Sequence, residues 1–233
     1  MKQVWDYLSP SIPSDHCRQM TAFGVMKEHV NAGYRAGSVL DFGCGNGRSA
    51  DQFAELLPSA KWTGVDIEDS PEVASRVRED PRFVTYDGDN LPFDDRTFDL
   101  VYSYQVMEHV RNPETVLREI ARVLVHDGLF IGQTSQFEPY HSYSLWNFTI
   151  YGFKRIMEDA GFRLLAFRPC IDGFTLMSRT YRDRPPHFES YFSNESPVNQ
   201  EIELVEKSKS IQEINLRKLW FAGQFVFVAS PLK

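Results

Sequence analysis

At 233 residues, 42% hydrophobic and 24% charged, the chain is long enough for one α/β domain with a full core. Its formal net charge of −7 gives no general attraction for phosphate backbones, so nucleic acid is not the expected partner. Cys17, Cys44 and Cys170 are scattered and form no CxxC pair, so no disulfide framework and no metal is indicated. The opening MKQVWDYLSP lacks the apolar stretch of a signal peptide and no run approaches a membrane span, so a cytoplasmic setting is expected.

In chain order, residues 14–33 read as a helix, capped by Ser14 or Asp15, with Met20, Phe23, Met26 and Val30 at helical spacing. A short strand over 38–42 runs into a glycine cluster. The next helix carries Ala50, Phe53, Ala54 and Leu57 on one face and stops at Pro58. The alternation continues with a strand at 61–66, a helix at 70–78 and strands at 82–86 and 97–103. Asn112-Pro113 opens a helix that buries Val116, Leu117, Ile120, Val123 and Leu124. A strand over 128–134 follows, then a helix capped by Thr149 and ended by Gly161, and strands at 162–167 and 224–229. Strands alternating with helices predict a doubly wound, mostly parallel sheet covered on both faces.

The rhythm breaks over 172–218, which reads as an insertion before the last strand within a single domain. A helix is predicted there over 199–213, with a Glu203–Lys207 pair four residues apart. Its aromatic and charged content predicts a mobile cover for an acceptor pocket. The 18 Phe, 10 Tyr and 4 Trp cluster after residue 130, where they shape a pocket or add to the core.

Chemistry is concentrated in Val39-Leu40-Asp41-Phe42-Gly43-Cys44-Gly45-Asn46-Gly47, which places a strand, a glycine-rich turn and a helix in succession. Glycine lets the chain bend sharply and lets a ligand approach where a Cβ would collide. The helix that follows offers free N–H groups and the positive end of its dipole. Asp66 ends the next strand, 21 residues beyond Gly45, where a carboxylate can hold a ribose diol. Asp87 lies just past the third strand and can accept from an exocyclic amine, with the Gly88 N–H facing the ring. A dinucleotide fingerprint requires a third glycine at position 48, which is Arg48. Asp41 beside the turn suits an ammonium group better than a diphosphate. The implied ligand joins an amino acid to adenosine, as S-adenosylmethionine does.

VLDFGCGNGRS, GVDIEDS, YDGDNLPFDDRTFDLVYSYQVMEHV and REIARVLVHDGLFI resemble, in order, the motifs of class I S-adenosylmethionine-dependent methyltransferases, particularly the small-molecule type-11 group. The resemblance runs from about 37 to 170 and implies a Rossmann-like sheet of seven strands whose last strand, at 224–229, is antiparallel. It implies that Asp41, Gly43, Cys44 and Gly45 hold the methionine end and Asp66 the ribose, with Ile67 on the adenine. Asp87 and Gly88 would bind the adenine edge, with Asp89 as an alternative contact, and Tyr104 and Gln105 would line the sulfonium region.

EPYHSYSLWNFTIYGFKRIMEDAGF resembles an acceptor-side segment found in a subgroup of these enzymes whose members often lie among genes for cell-surface sugars or secondary metabolites. Leu145-Trp146-Asn147 stands where that segment carries Tyr-Trp-Arg, so a role for that arginine has no counterpart here. Trp146 and Phe148 face the substrate or plug the loop from beneath. Methyl transfer to a hydroxyl needs alignment and a base near neutrality. His141 and His109 follow strands at the cofactor edge and are the expected catalytic residues, while His16 and His29 lie in the predicted covering helix and His126 on a surface turn. The expected activity is methylation of an O or N atom of a small molecule. The rival readings are a catalytically silent S-adenosylmethionine-binding module and an NAD(P)-dependent reductase or epimerase.

Overall fold

The computed structural model describes residues 2–78 and 82–232. Seven strands form one sheet in the order β3-β2-β1-β4-β5-β7-β6. They are β1 (Ser38–Phe42), β2 (Lys61–Ile67), β3 (Phe83–Tyr86), β4 (Phe98–Tyr104), β5 (Leu124–Ser135), β6 (Phe162–Pro169) and β7 (Gln224–Pro231). β7 runs antiparallel between β5 and β6, while the pairings among β1 to β5 are parallel. This is the predicted doubly wound architecture with an antiparallel last strand.

The central strands are apolar on both faces because both are covered. One core cluster joins Leu40, Phe42, Val101 and Phe130 to Val116, Leu117 and Ile120 of helix α5 (Pro113–Val123) and to Phe153 and Met157 of α6 (Ile150–Asp159). The other joins Val39, Leu100 and Ile131 to Val25 and Met26 of α2 (Ala22–Asn31) and Phe53 of α3 (Ser49–Leu56). The Thr149 hydroxyl accepts from Gly152 N at 3.0 Å, as its predicted capping role requires. α1 (Lys2–Leu8) precedes these elements and packs Tyr7 edge-on against Tyr151.

Three predicted helices change. The helix expected over 14–33 is α2 alone, capped by Thr21, whose hydroxyl accepts from Gly24 N at 3.1 Å. Residues 14–20 stay non-helical because distant side chains satisfy their polar groups. Arg168 grips Asp15 at 2.6 and 2.7 Å, Asn215 donates to the carbonyls of Pro13 and His16, and Lys218 donates to Cys17 O. The helix expected over 70–78 is one turn, α4 (Pro71–Ala74); beyond it Arg76 turns back to donate to Gly45 O and stack on Phe83 at 3.9 Å. Residues 79–81 lie outside the described residues.

The helix expected over 199–213 divides into α8 (Pro197–Val205) and α9 (Ile211–Phe221), because Ser210 and Glu213 form a capping box that starts a new helix. Glu203 pairs with Lys218, not with Lys207. Before them, α7 (Gly173–Tyr181) is capped by Asp172, whose carboxylate accepts from Thr175 N and Oγ1. Lys218 is fully buried, tied to Glu195 and Glu203, and anchors α8 and α9 to the segment around Cys17. Among the described residues, no helix is long and apolar enough to cross a membrane.

Candidate active site

The parallel strands β3, β2, β1, β4 and β5 end at one edge of the sheet, and antiparallel β7 begins there, with Gln224 opposite Ser135. Asp66, Gly43, Gln105 and Ser135 therefore stand in a row set by strand order, with Asp87 just beyond β3.

The turn after β1 is built around Gly43, at φ +74°, where an added Cβ would fall 2.2 Å from Val106 Cγ2. Only glycine fits there. Gly43 N and Cys44 N both donate to Val65 O, which binds the turn to β2. Asp66 Oδ2 accepts from Gly45 N at 2.7 Å and Oδ1 from Ile67 N at 2.8 Å. Each oxygen keeps a second acceptor direction. Burial raises the Asp66 carboxyl above its ordinary range despite these two donors. Ile67 is exposed beside it, as a surface for a flat ring must be.

Asp41 sits beneath the turn rather than on it. It is 4% exposed and takes the Ser49 hydroxyl, which itself accepts from Trp62 Nε1 at 3.2 Å. Burial pushes its carboxyl up to about 7, the Ser49 bond opposing and Asp66 adding to the rise. Its place is a brace under the glycine turn. Cys44 is also buried, and its side chain packs against Gly64; burial raises its thiol.

Asp87 closes its own turn, accepting from Asp89 N, Asn90 N and Asn90 Nδ2 at 2.7 to 2.9 Å. Those donors, Asn90 N first, hold it down to about 2. Gly88, at φ +95°, has open space beside its Cα. Asp89 instead takes the Asn112 amide at 2.9 Å. At the end of β4, Tyr104 is exposed and Gln105 adopts a left-handed backbone, φ +56°. Gln105 Nε2 is buried without a hydrogen-bond partner. An unsatisfied buried donor costs about 1–3 kcal/mol unless a ligand meets it.

On the β5 side the structure brings together His109 and His141, whose rings lie edge to face at 5.5 Å. Between them and the sheet is Glu108, fully buried, accepting from Thr134 Oγ1 at 2.9 Å and Ser135 Oγ at 3.1 Å. Burial pushes Glu108 up to about 7; its hydrogen bonds oppose this and Glu138 adds to it. Glu138 shares the Ser135 hydroxyl at 2.7 Å and accepts from Gln224 Nε2 at 2.8 Å. His141 Nε2 stands 4.0 Å from Glu108 Oε1, and its Nδ1 lies 3.3 Å from Pro139 O and 3.8 Å from Glu138 Oε1. Burial lowers the His109 imidazole below its ordinary range, the Tyr143 backbone opposing and His141 adding to the effect.

Trp146 donates its indole N–H to Val110 O at 2.8 Å and stacks on Phe148, while Leu145 N and Trp146 N donate to Glu108 O. These contacts make the aromatic pair a brace for the Glu108 turn. His16 lies against Glu28, His29 against Tyr34, and His126 is exposed; none joins the cluster. Sequence reasoning missed Glu108, Ser135, Glu138 and Gln224. The Glu-His pair in MEHV was the available signal, since a carboxylate in so apolar a stretch needs a reason.

Residues 40–132 match the model of a methyltransferase domain family. The chain is 34% identical over 118 residues to a ubiquinone biosynthesis O-methyltransferase of Maricaulis maris, covering 48% of this chain and 44% of that protein. It is 26% identical over 163 residues to a fatty-acid O-methyltransferase of Mycolicibacterium smegmatis, covering 67% and 56%. The chain thus spans about half the length of these curated relatives. A Haemonchus contortus phosphoethanolamine N-methyltransferase 2, solved with S-adenosylhomocysteine, superposes with a TM-score of 0.56 at 19% identity, over 90% of this chain and 52% of that one.

Proposed function

Since the chain belongs to the class I S-adenosylmethionine-dependent methyltransferase family, we propose that it transfers a methyl group from S-adenosylmethionine to an O or N atom of a small molecule. The observation that carries this reading is the row along the carboxyl edge, from the open space beside Gly88 through Asp66 and the glycine turn to the partnerless Gln105 Nε2. These residues fit the cofactor: Asp66 has acceptor directions for a ribose diol, and Gln105 Nε2 has a proton for a carboxylate or carbonyl. Asp41, buried beneath the turn, braces it from below. With Arg48 in place of the third fingerprint glycine, the turn is not shaped for a dinucleotide.

The bound cofactor supplies a methyl group already activated as a sulfonium. The chain supplies alignment and a route for the acceptor proton. His141 is the expected base, its Nδ1–H held by Pro139 O so that Nε2 carries the lone pair. Glu108 Oε1 stands 4.0 Å from that nitrogen. The exposed Tyr140 and Tyr143 with Glu138 give the acceptor side an aromatic and acidic rim, which supports a polyhydroxylated acceptor such as a sugar or secondary metabolite. Net negative charge and three free cysteines support a small-molecule substrate in a reducing compartment.

Tritiated-methyl transfer into a metabolite extract tests the activity and names the acceptor class. Cofactor binding by calorimetry without any transfer would leave a silent binding module. His141→Ala should lower kcat by about 10²–10⁴ and leave cofactor affinity alone. His109→Ala, beside Glu72 as well as His141, should reduce rate and cofactor affinity together.

A further inference from the structure

The cluster beside the cofactor row contains more carboxyl groups than a proton relay requires. Glu108 is fully buried and the Glu138 side chain only 13% exposed. Both turn an oxygen toward the one Ser135 hydroxyl, whose single proton can serve only one of them at a time. Among the described residues, the ion pairs of both carboxylates are with His141 alone. A buried and a nearly buried carboxylate without a lysine or arginine are costly to ionise together unless a cation joins them.

The geometry shows where that cation fits. With Nδ1–H held by Pro139 O, His141 Nε2 presents a lone pair to Glu108 Oε1 across 4.0 Å. That gap is too long for a hydrogen bond and matches two metal–ligand bonds of about 2.0–2.2 Å meeting at a wide angle. His109 completes the set: ligand atoms of Glu108, His109 and His141 all lie within 4.8 Å of one another. A contraction of under about 1 Å would bring all three to bonding distance of one ion. The outer partners are already in place. Thr134 and Ser135 orient the carboxylate, and Pro139 O fixes the imidazole tautomer.

We propose that Glu108, His109 and His141 bind one divalent transition-metal ion of the zinc class at the acceptor edge. Two imidazoles and one carboxylate suit Zn2+, Co2+ or Mn2+, whereas Mg2+ and Ca2+ take mainly oxygen ligands. Three protein ligands leave a coordination position open, and an acceptor oxygen bound there would lose its proton at lower pH; with its Nε2 lone pair on the ion, His141 then serves as a ligand and not as the base. This deepens the reading of the edge as the acceptor site and rests on it for the ion's role, though not for its binding.

The test titrates the chelator-treated full-length protein with Zn2+ by calorimetry and with Co2+ by visible absorption. One equivalent should bind, and Glu108→Gln and His141→Ala should each weaken it by at least roughly the 100-fold that loss of an outer partner can already cost. His126→Ala, at an exposed histidine, should leave it unchanged. Retained S-adenosylmethionine binding verifies that Glu108→Gln, His141→Ala and His126→Ala are folded, and His109→Ala, whose fold is checked by circular dichroism, provides a third ligand change. Substoichiometric binding to wild type, or unaltered affinity in Glu108→Gln and His141→Ala, overturns the proposal. Metal-free protein that binds no ion yet methylates at full rate removes the ion and leaves the methyltransferase reading intact. Protein that binds one ion through these residues but transfers no methyl group upholds the site and removes the activity.

Discussion

Asp41→Asn should change the pH dependence of stability in a way fixed by where Asp41 lies. Burial beneath the glycine turn pushes its carboxyl from 3.8 up to about 7, the Ser49 hydroxyl opposing and Asp66 adding to the rise. A carboxyl raised in the fold holds a proton that the unfolded chain has already released. Its linkage therefore costs stability as pH rises from about 4 to about 7 and adds nothing further above that. Three pH units at about 1.4 kcal/mol each give about 4 kcal/mol over the full window, and about 3 kcal/mol between pH 5 and pH 8. Asparagine keeps the shape, can still hydrogen-bond Ser49, and does not titrate. Urea unfolding of the ligand-free proteins at pH 5 and pH 8 gives the two differences. The variant should gain about 3 kcal/mol on wild type between those pH values. Glu108, which burial also pushes up to about 7, titrates in both proteins and cancels. A gain below about 1 kcal/mol would mean that Asp41 is already ionised in the fold at pH 5. The brace under the turn would then be a charged one, and the argument from burial would fail.

Asp66→Ala should weaken S-adenosylmethionine binding by about 1.5–3 kcal/mol in calorimetry, the range for hydrogen bonds to a charged group; unchanged affinity removes Asp66 from the ribose role. Lys218→Met should lower stability by about 3 kcal/mol in urea unfolding, because Glu195, Glu203 and Cys17 O lose a shared, fully buried cation. Loss of less than about 1 kcal/mol would show that the half-exposed glutamates recover their hydration. Trypsin should first cut at the exposed Arg182, and the cut should slow when S-adenosylhomocysteine and acceptor are both bound if 172–218 closes over the pocket. A rate indifferent to both ligands makes that segment a fixed appendage.

The sheet and its ligand edge were legible in the chain because both depend on local rules. Val39 to Gly47 must be a strand meeting a tight turn, since the apolar run is short and the glycines permit backbone angles and approaches closed to other residues. Asp66 follows from the same logic, because a carboxylate ending the second strand has one edge to face. Other features depended on residues far apart in sequence. Residues 14–20 carry a helical pattern yet stay out of a helix, because Arg168, Asn215 and Lys218 satisfy their backbone and Asp15 from 150 or more residues away. Asp41 is as polar as Asp66, and only the packing of Ser49 and Trp62 over it puts one carboxylate under the turn and leaves the other beside it. The cluster at the acceptor edge is the clearest case. Glu108 and His109 come from the loop after β4, Glu138 and His141 from the loop after β5, and Gln224 from the start of a strand running the opposite way. Parallel pairing of β4 with β5 and antiparallel entry of β7 bring these groups to one point, and the charge buried there exists only once the sheet has closed around it.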